Sequence, residues 1–177
     1  MSNDFYESCK VGYAETEKGI WKIEKFTVEE NSPGRFYYMV HGRDVTPGNY
    51  TRLMCNGSVM MSDTPAELQD FRYFVRIAKG RILINGLGLG CITKALLSKL
   101  EVTHIDVVEI DKDVIDLIVP YFEKDIQAGR LTIYHGDAMT FKFPPKIKWD
   151  YVYHDIWIAV CTDDKDEMIN EWTKECD

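Results

Sequence analysis

The sequence predicts an α/β fold: a Rossmann-like parallel sheet with helices on both faces, ending after its fourth strand and preceded by an N-terminal β-hairpin element. Two observations predict it. From Ile82 onward, short apolar runs alternate with stretches of helical periodicity, the pattern of parallel strands joined by crossover helices. Between Gly19 and Met61, segments rich in aromatic and β-branched residues are separated by turn signals.

Residues 1–18 are polar and aperiodic and predict a flexible arm. The hairpin element, 19–63, is expected to contain extended segments at Ile20–Val28, Arg35–His41 and Tyr50–Met61, with turns at Ser32-Pro33-Gly34 and Thr46-Pro47-Gly48-Asn49. Asn56-Gly57 is the strongest turn signal, because both residues accept the positive φ of a two-residue hairpin turn. Thr64, Pro65 and Glu67 then carry a helix-start signature, with Leu68, Phe71, Val75 and Ala78 on one face and Gly80 closing the helix. The Rossmann-like domain, 64–177, continues with strand Ile82–Asn85, helix Leu89–Leu100, strand His104–Glu109, helix Lys112–Phe122, strand Leu131–His135, strand Tyr151–His154 and a polar helix from Asp164.

Composition narrows the function. A formal charge of −8 disfavours a phosphate-backbone binder, which needs clustered Lys and Arg, so no nucleic-acid partner is expected. Five scattered cysteines outside any CxxC pair, with neither a leader nor a spanning apolar run, predict a cytoplasmic protein with reduced thiols, no structural metal and no membrane partner.

The chemistry concentrates at strand ends. Asn85-Gly86-Leu87-Gly88-Leu89-Gly90 follows an apolar strand, and about twenty residues later a second strand ends in Glu109. Gly86 permits the sharp strand-to-helix turn, Gly88 allows close approach to bare backbone, and Gly90 lets the next helix pack closely. A dinucleotide fingerprint wants its third glycine where this chain has Cys91, so the loop points to a cofactor without a pyrophosphate. Glu109 suits a ribose diol, since a carboxylate accepts from two hydroxyls. Asp111 reads as a helix N-cap, and Asp137 with the Ala138 N–H suits a purine edge. Asp155, ending the fourth strand, is the candidate catalytic residue; His154 on the opposite face reads as structural.

Ile82–Gly90, Val107–Asp111, His135–Ala138 and Asp150–Asp155 together resemble the ordered motifs of class I S-adenosylmethionine-dependent methyltransferases, most nearly the spermidine-synthase-like branch. The resemblance implies S-adenosylmethionine as cofactor, with Gly86, Gly88 and Gly90 bounding its methionine part, Glu109 at the ribose and Asp137 at the adenine; Leu87, Ile110 and Ala138 complete the expected cofactor-binding set. It places Met54–Asp63 where aminopropyltransferases carry a substrate-gating segment, making Asp63 a candidate substrate-pocket residue, and gives Asp155 the role of deprotonating an attacking amine; Trp157, two residues on, is a candidate pocket wall whose aromatic face suits a cation.

Departures shape the reaction expected. Polyamine synthases carry an acid where this chain has Leu89 and another where it has Ile158, so methyl transfer to a small or unidentified acceptor is expected ahead of aminopropyl transfer or cofactor cleavage. A non-catalytic cofactor-binding subunit is the remaining alternative. The superfamily's sheet has seven strands, so the open edge predicts a homo-oligomer or a partner subunit covering it.

Overall fold

The computed structural model describes residues 3–31 and 45–156. The Arg35–His41 strand, the Ser32-Pro33-Gly34 turn, Trp157, Ile158 and the polar helix from Asp164 lie outside the described residues.

Among the described residues the strands form two four-stranded sheets. The first is antiparallel, with β1 (Thr16–Lys18), β2 (Trp21–Val28), β3 (Gly48–Cys55) and β4 (Ser58–Ser62) in sequence order. Asn56 (φ 48°) and Gly57 (φ 80°) turn β3 into β4, as their residue types predict. The second sheet is parallel, containing β5 (Gly80–Asn85), β6 (Val102–Glu109), β7 (Leu131–His135) and β8 (Tyr151–His154) in the order β7-β6-β5-β8. Its chain order reverses at β5, which places a ligand crevice beyond that strand's carboxyl end.

The expected flexible arm is ordered where described. It forms α1 (Asn3–Cys9), then β1, which pairs with β2. Cys9 is fully buried and Tyr13 stacks on Tyr121 at 3.8 Å, tertiary contacts that an aperiodic polar sequence does not announce. Cys9, Tyr13, Ile23 and Leu53 join Ile82, Ile84, Leu96 and Ile105 in one core.

The predicted helix after Thr64 is divided into α2 (Pro65–Leu68) and α3 (Arg72–Ile77), although Leu68, Phe71, Val75 and Ala78 are buried together as expected. The capping box does not close. Thr64 makes no side-chain cap bond, and the Glu67 carboxylate instead accepts from the Ser62 backbone N–H at 2.6 Å and the Ser62 hydroxyl at 2.7 Å. Gly80 (φ 73°) opens β5 rather than closing a helix.

After β5 come α4 (Cys91–Leu97) and, beyond β6, α5 (Lys112–Ile118), capped by Asp111, whose side chain accepts from the Asp113 N–H at 2.8 Å. Pro120 lacks an N–H, and the expected helix Lys112–Phe122 ends at Ile118, the chain tightening into a 3₁₀ turn at Val119–Tyr121 before a further helix, α6 (Glu123–Gln127).

Gly90 (φ 73°) is required twice over. A Cβ there would lie 2.7 and 2.9 Å from Phe122 ring carbons, besides the left-handed backbone. Gly90→Ala is expected to cost about 1–3 kcal/mol for the backbone and a comparable amount for overpacking. Chemical unfolding would measure it: a loss confined to the backbone range would show that Phe122 yields, and a loss under about 1 kcal/mol would refute the backbone cost as well.

One buried charge ties the parallel sheet together. Asp106, on β6 and fully buried, accepts from Arg81 Nε (2.7 Å) and Nη2 (3.0 Å), from Trp149 Nε1 (2.8 Å) and from the Tyr134 hydroxyl (3.3 Å). Burial alone would raise its pKa, but the Arg81 and Trp149 hydrogen bonds outweigh that and hold it below the usual carboxylate value.

Candidate functional site

A cavity of about 750 Å³ lies at the carboxyl ends of the parallel strands. One wall is Gly86, Gly88, Glu109, Ile110, Asp137, Ala138 and Asp155; the facing wall is Trp21, Leu53, Met60 and Met61 from the antiparallel sheet. The volume suits a small-molecule ligand.

Each loop glycine meets a specific neighbour. Gly86 (φ 95°) leaves β5, and a Cβ there would run into the Asp155 carbonyl. At Gly88 (φ 49°) the close neighbour is the Met61 sulfur, so the bare backbone admits the hairpin. The Leu89 N–H donates to that sulfur at 2.9 Å, while the Leu89 side chain is fully buried in the core. Leu87 and Gly90 do not line the cavity; they shape the loop from behind.

Glu109 is 8 % exposed and holds the loop to the end of β6. Its Oε2 accepts from the Leu87 N–H at 2.8 Å and its Oε1 from the Asp111 N–H at 2.9 Å. Each oxygen keeps a second lone pair for a ligand hydroxyl. Ile110 is 67 % exposed beside it, an apolar surface that a flat ring would cover. Asp111 fixes the facing wall, accepting from Trp21 Nε1 at 2.7 Å. Asp137 accepts from the Met139 N–H at 2.9 Å, which leaves its other oxygen toward the crevice with only a long contact to the Thr140 hydroxyl at 3.4 Å.

Asp155 follows β8, its backbone N–H donating to the Asn85 carbonyl at 2.7 Å. Its side chain reaches solvent at the cavity, yet surrounding protein raises its pKa by desolvation, reinforced by the negative charges of Asp70 and Glu109. His154 lies outside the cavity lining; Asn85 Nδ2 donates to its Nδ1 at 2.8 Å, and burial lowers its pKa, keeping the ring neutral.

The structure does not bring Asp63 to this cavity. Asp63 is 1 % exposed, with Oδ1 accepting from the Thr51 N–H at 2.6 Å and Oδ2 from the Val11 N–H at 3.2 Å. Both oxygens are committed to holding the N-terminal segment against the hairpin, so the substrate-pocket expectation for Asp63 is corrected. Met60 and Met61, from the expected gating segment Met54–Asp63, do line the cavity, whereas Trp21 carries no local signal, because its position follows from how one sheet faces the other. Among the described residues no group of three or more His, Cys, Asp or Glu is placed to hold a metal ion, and no helix is long and apolar enough to cross a membrane.

A family model described as the spermine/spermidine synthase domain matches residues 60–175. The chain is 47 % identical over 58 residues to ribosomal RNA small subunit methyltransferase A of Chromobacterium violaceum, a match covering 33 % of this chain and 20 % of that protein. The chain thus spans about a fifth of the length of the curated relatives it matches. Among solved structures it is similar to spermidine synthase of Thermotoga maritima (18 % identity, TM-score 0.45, 82 % of this chain and 48 % of that one). It is also similar to a dimethyladenosine transferase of Plasmodium falciparum (22 % identity, TM-score 0.44, 62 % of this chain and 37 % of that one). The expectation of no nucleic-acid partner is overturned by the ribosomal RNA methyltransferases among these relatives. Net charge is a whole-chain sum, whereas phosphate recognition depends on local clusters, so −8 was no ground for it.

Proposed function

The chain belongs to the spermine/spermidine synthase family, and from that premise we propose that it binds S-adenosylmethionine in the cavity beyond β5 and transfers its methyl group to an acceptor beside Asp155. The observation that carries this reading is the pairing of Glu109 with the glycine loop, opposite a carboxyl of raised pKa. The residues present fit the cofactor: Glu109 would take the ribose hydroxyls with its remaining lone pairs, Ile110 would cover the adenine face, and Asp137 would accept from the exocyclic amine. S-adenosylmethionine supplies an electrophilic methyl carbon on a sulfonium.

Asp155 takes the proton that an attacking amine or hydroxyl gives up. Its raised pKa brings it nearer neutrality and makes it a better base than an ordinary carboxylate. The facing wall of Trp21, Leu53, Met60 and Met61 gives the cavity an apolar side. The acceptor is left open between a small molecule and an RNA, the substrate type of the curated relatives.

Aminopropyl transfer is the second reading, favoured by the family itself. Buried Leu89 supports methyl transfer, because the glycine loop offers no carboxylate to an amine. Calorimetric titration of the chain with S-adenosylmethionine, followed by mass spectrometry of the products, tests both: S-adenosylhomocysteine supports methyl transfer, methylthioadenosine the alternative, and no binding refutes the two together.

The pH dependence gives a further check. Activity is expected to fall as pH drops through the raised pKa of Asp155, since protonation removes the base. Asp70→Asn removes one of the charges that raise it and should shift this acid limb to lower pH. An unmoved limb in Asp70→Asn and in Asp155→Asn alike would assign the titration to another group.

A further inference from the structure

A second cavity, of about 590 Å³, is separate from the first and is built by segments far apart in sequence. The end of α1 and the loop after it, the middle of β2, the start of β3, and α4 bring Lys10, Lys25 and Lys94 together around it. Lys94 donates its ammonium to the Lys10 carbonyl, while the Lys10 ammonium sits 4.8 Å over the Tyr50 ring. Neither Lys10 nor Lys25 makes an ion pair among the described residues, in a protein whose net charge is −8.

The carboxylates at this cavity do not answer those lysines. Asp63 spends both oxygens on the Thr51 and Val11 N–H groups, which leaves Glu7 on the rim. Hydrogen-bond donors are present as well. Asn49 accepts from the Thr27 hydroxyl through its Oδ1 at 2.8 Å, so its amide N–H groups remain available at the cavity. Two unpaired ammonium groups, one pinned lysine and an amide donor form a receptor for an oxyanion, and lysines are compact point charges suited to phosphate oxygens.

We propose that this second cavity binds a phosphate group, carried either by a small nucleotide-like molecule or by a nucleic-acid backbone. The site is independent of the S-adenosylmethionine reading, because none of its lining residues lines the first cavity.

Titration of the full chain with pyrophosphate and, separately, with a short single-stranded RNA oligonucleotide, each repeated on the double variant Lys10→Gln/Lys25→Gln, tests it. The intact chain is expected to bind at least one probe saturably, and the double variant to bind at least tenfold more weakly, with its melting temperature and S-adenosylmethionine titration unchanged. Tight oligonucleotide binding with weak pyrophosphate binding assigns the phosphate to a polymer backbone. In that case the salt slope should also fall by about 1.4 for two lost contacts. Saturation by pyrophosphate that the oligonucleotide does not surpass assigns it to a small molecule. No saturable binding of either probe, or binding that the double variant retains, overturns the proposal.

Discussion

Glu109→Ala is expected to raise the dissociation constant for S-adenosylmethionine at least about a hundredfold. On the proposed reading the carboxylate takes two ribose hydroxyls, and hydrogen bonds to a charged group are worth about 1.5–3 kcal/mol each. The loss has a second origin that precedes any ligand. The same carboxylate accepts from the Leu87 N–H, and Leu87 is 2 % exposed, so removing it strands a buried donor at about 1–3 kcal/mol. The variant should therefore melt earlier as well as bind more weakly. Calorimetry and thermal melting on Glu109→Ala and Glu109→Gln separate the two effects, since glutamine keeps one acceptor for the loop. Binding within threefold of the intact chain in both variants would remove Glu109 from the cofactor site.

Asp106→Ala is expected to be the most destabilising single substitution outside the cavity. It leaves Arg81 and Trp149 without their shared acceptor, and breaking a buried charge pair costs about 3–5 kcal/mol. Because the Arg81 side chain is 34 % exposed and water can take over part of its solvation, the lower end, about 3 kcal/mol, is expected. The pH dependence has a defined sign. The folded-state pKa of Asp106 is depressed, so its stabilising contribution is fully present above the ordinary carboxylate pKa of about 3.9 and is lost as pH falls through the lower folded value. Denaturant midpoints measured between neutral and acid pH should fall less steeply for Asp106→Ala than for the intact chain. Parallel curves would show that other carboxylates dominate acid unfolding.

Legibility in the sequence follows the range of the interactions. β7 and β8 lie where alternation placed them, and Asn56-Gly57 and Asp111 perform the turn and the cap that their side chains favour, because each depends on neighbours within a few residues. Tertiary partners decide the elements that were misread. The first residues look featureless until Cys9 and Tyr13 meet the core, and Glu67 looks like a capping residue until Ser62 takes its carboxylate. The candidate site divides in the same way. Glu109, Asp137 and Asp155 share a cavity because strand ends in a parallel sheet are neighbours by construction. Asp63 turns away because Val11, 52 residues distant, supplies a donor, and the lysine cluster arises only when three distant segments fold together.

The shared core has a mechanical meaning. The family match begins at residue 60, inside β4, and a cut there would strip that strand of its β3 partner and remove Ile23 and Leu53 from the core they share with Ile84, Leu96 and Ile105. The two sheets share one core and are expected to unfold in a single transition, and the stretch from residue 60 onward is not expected to fold as a free-standing module.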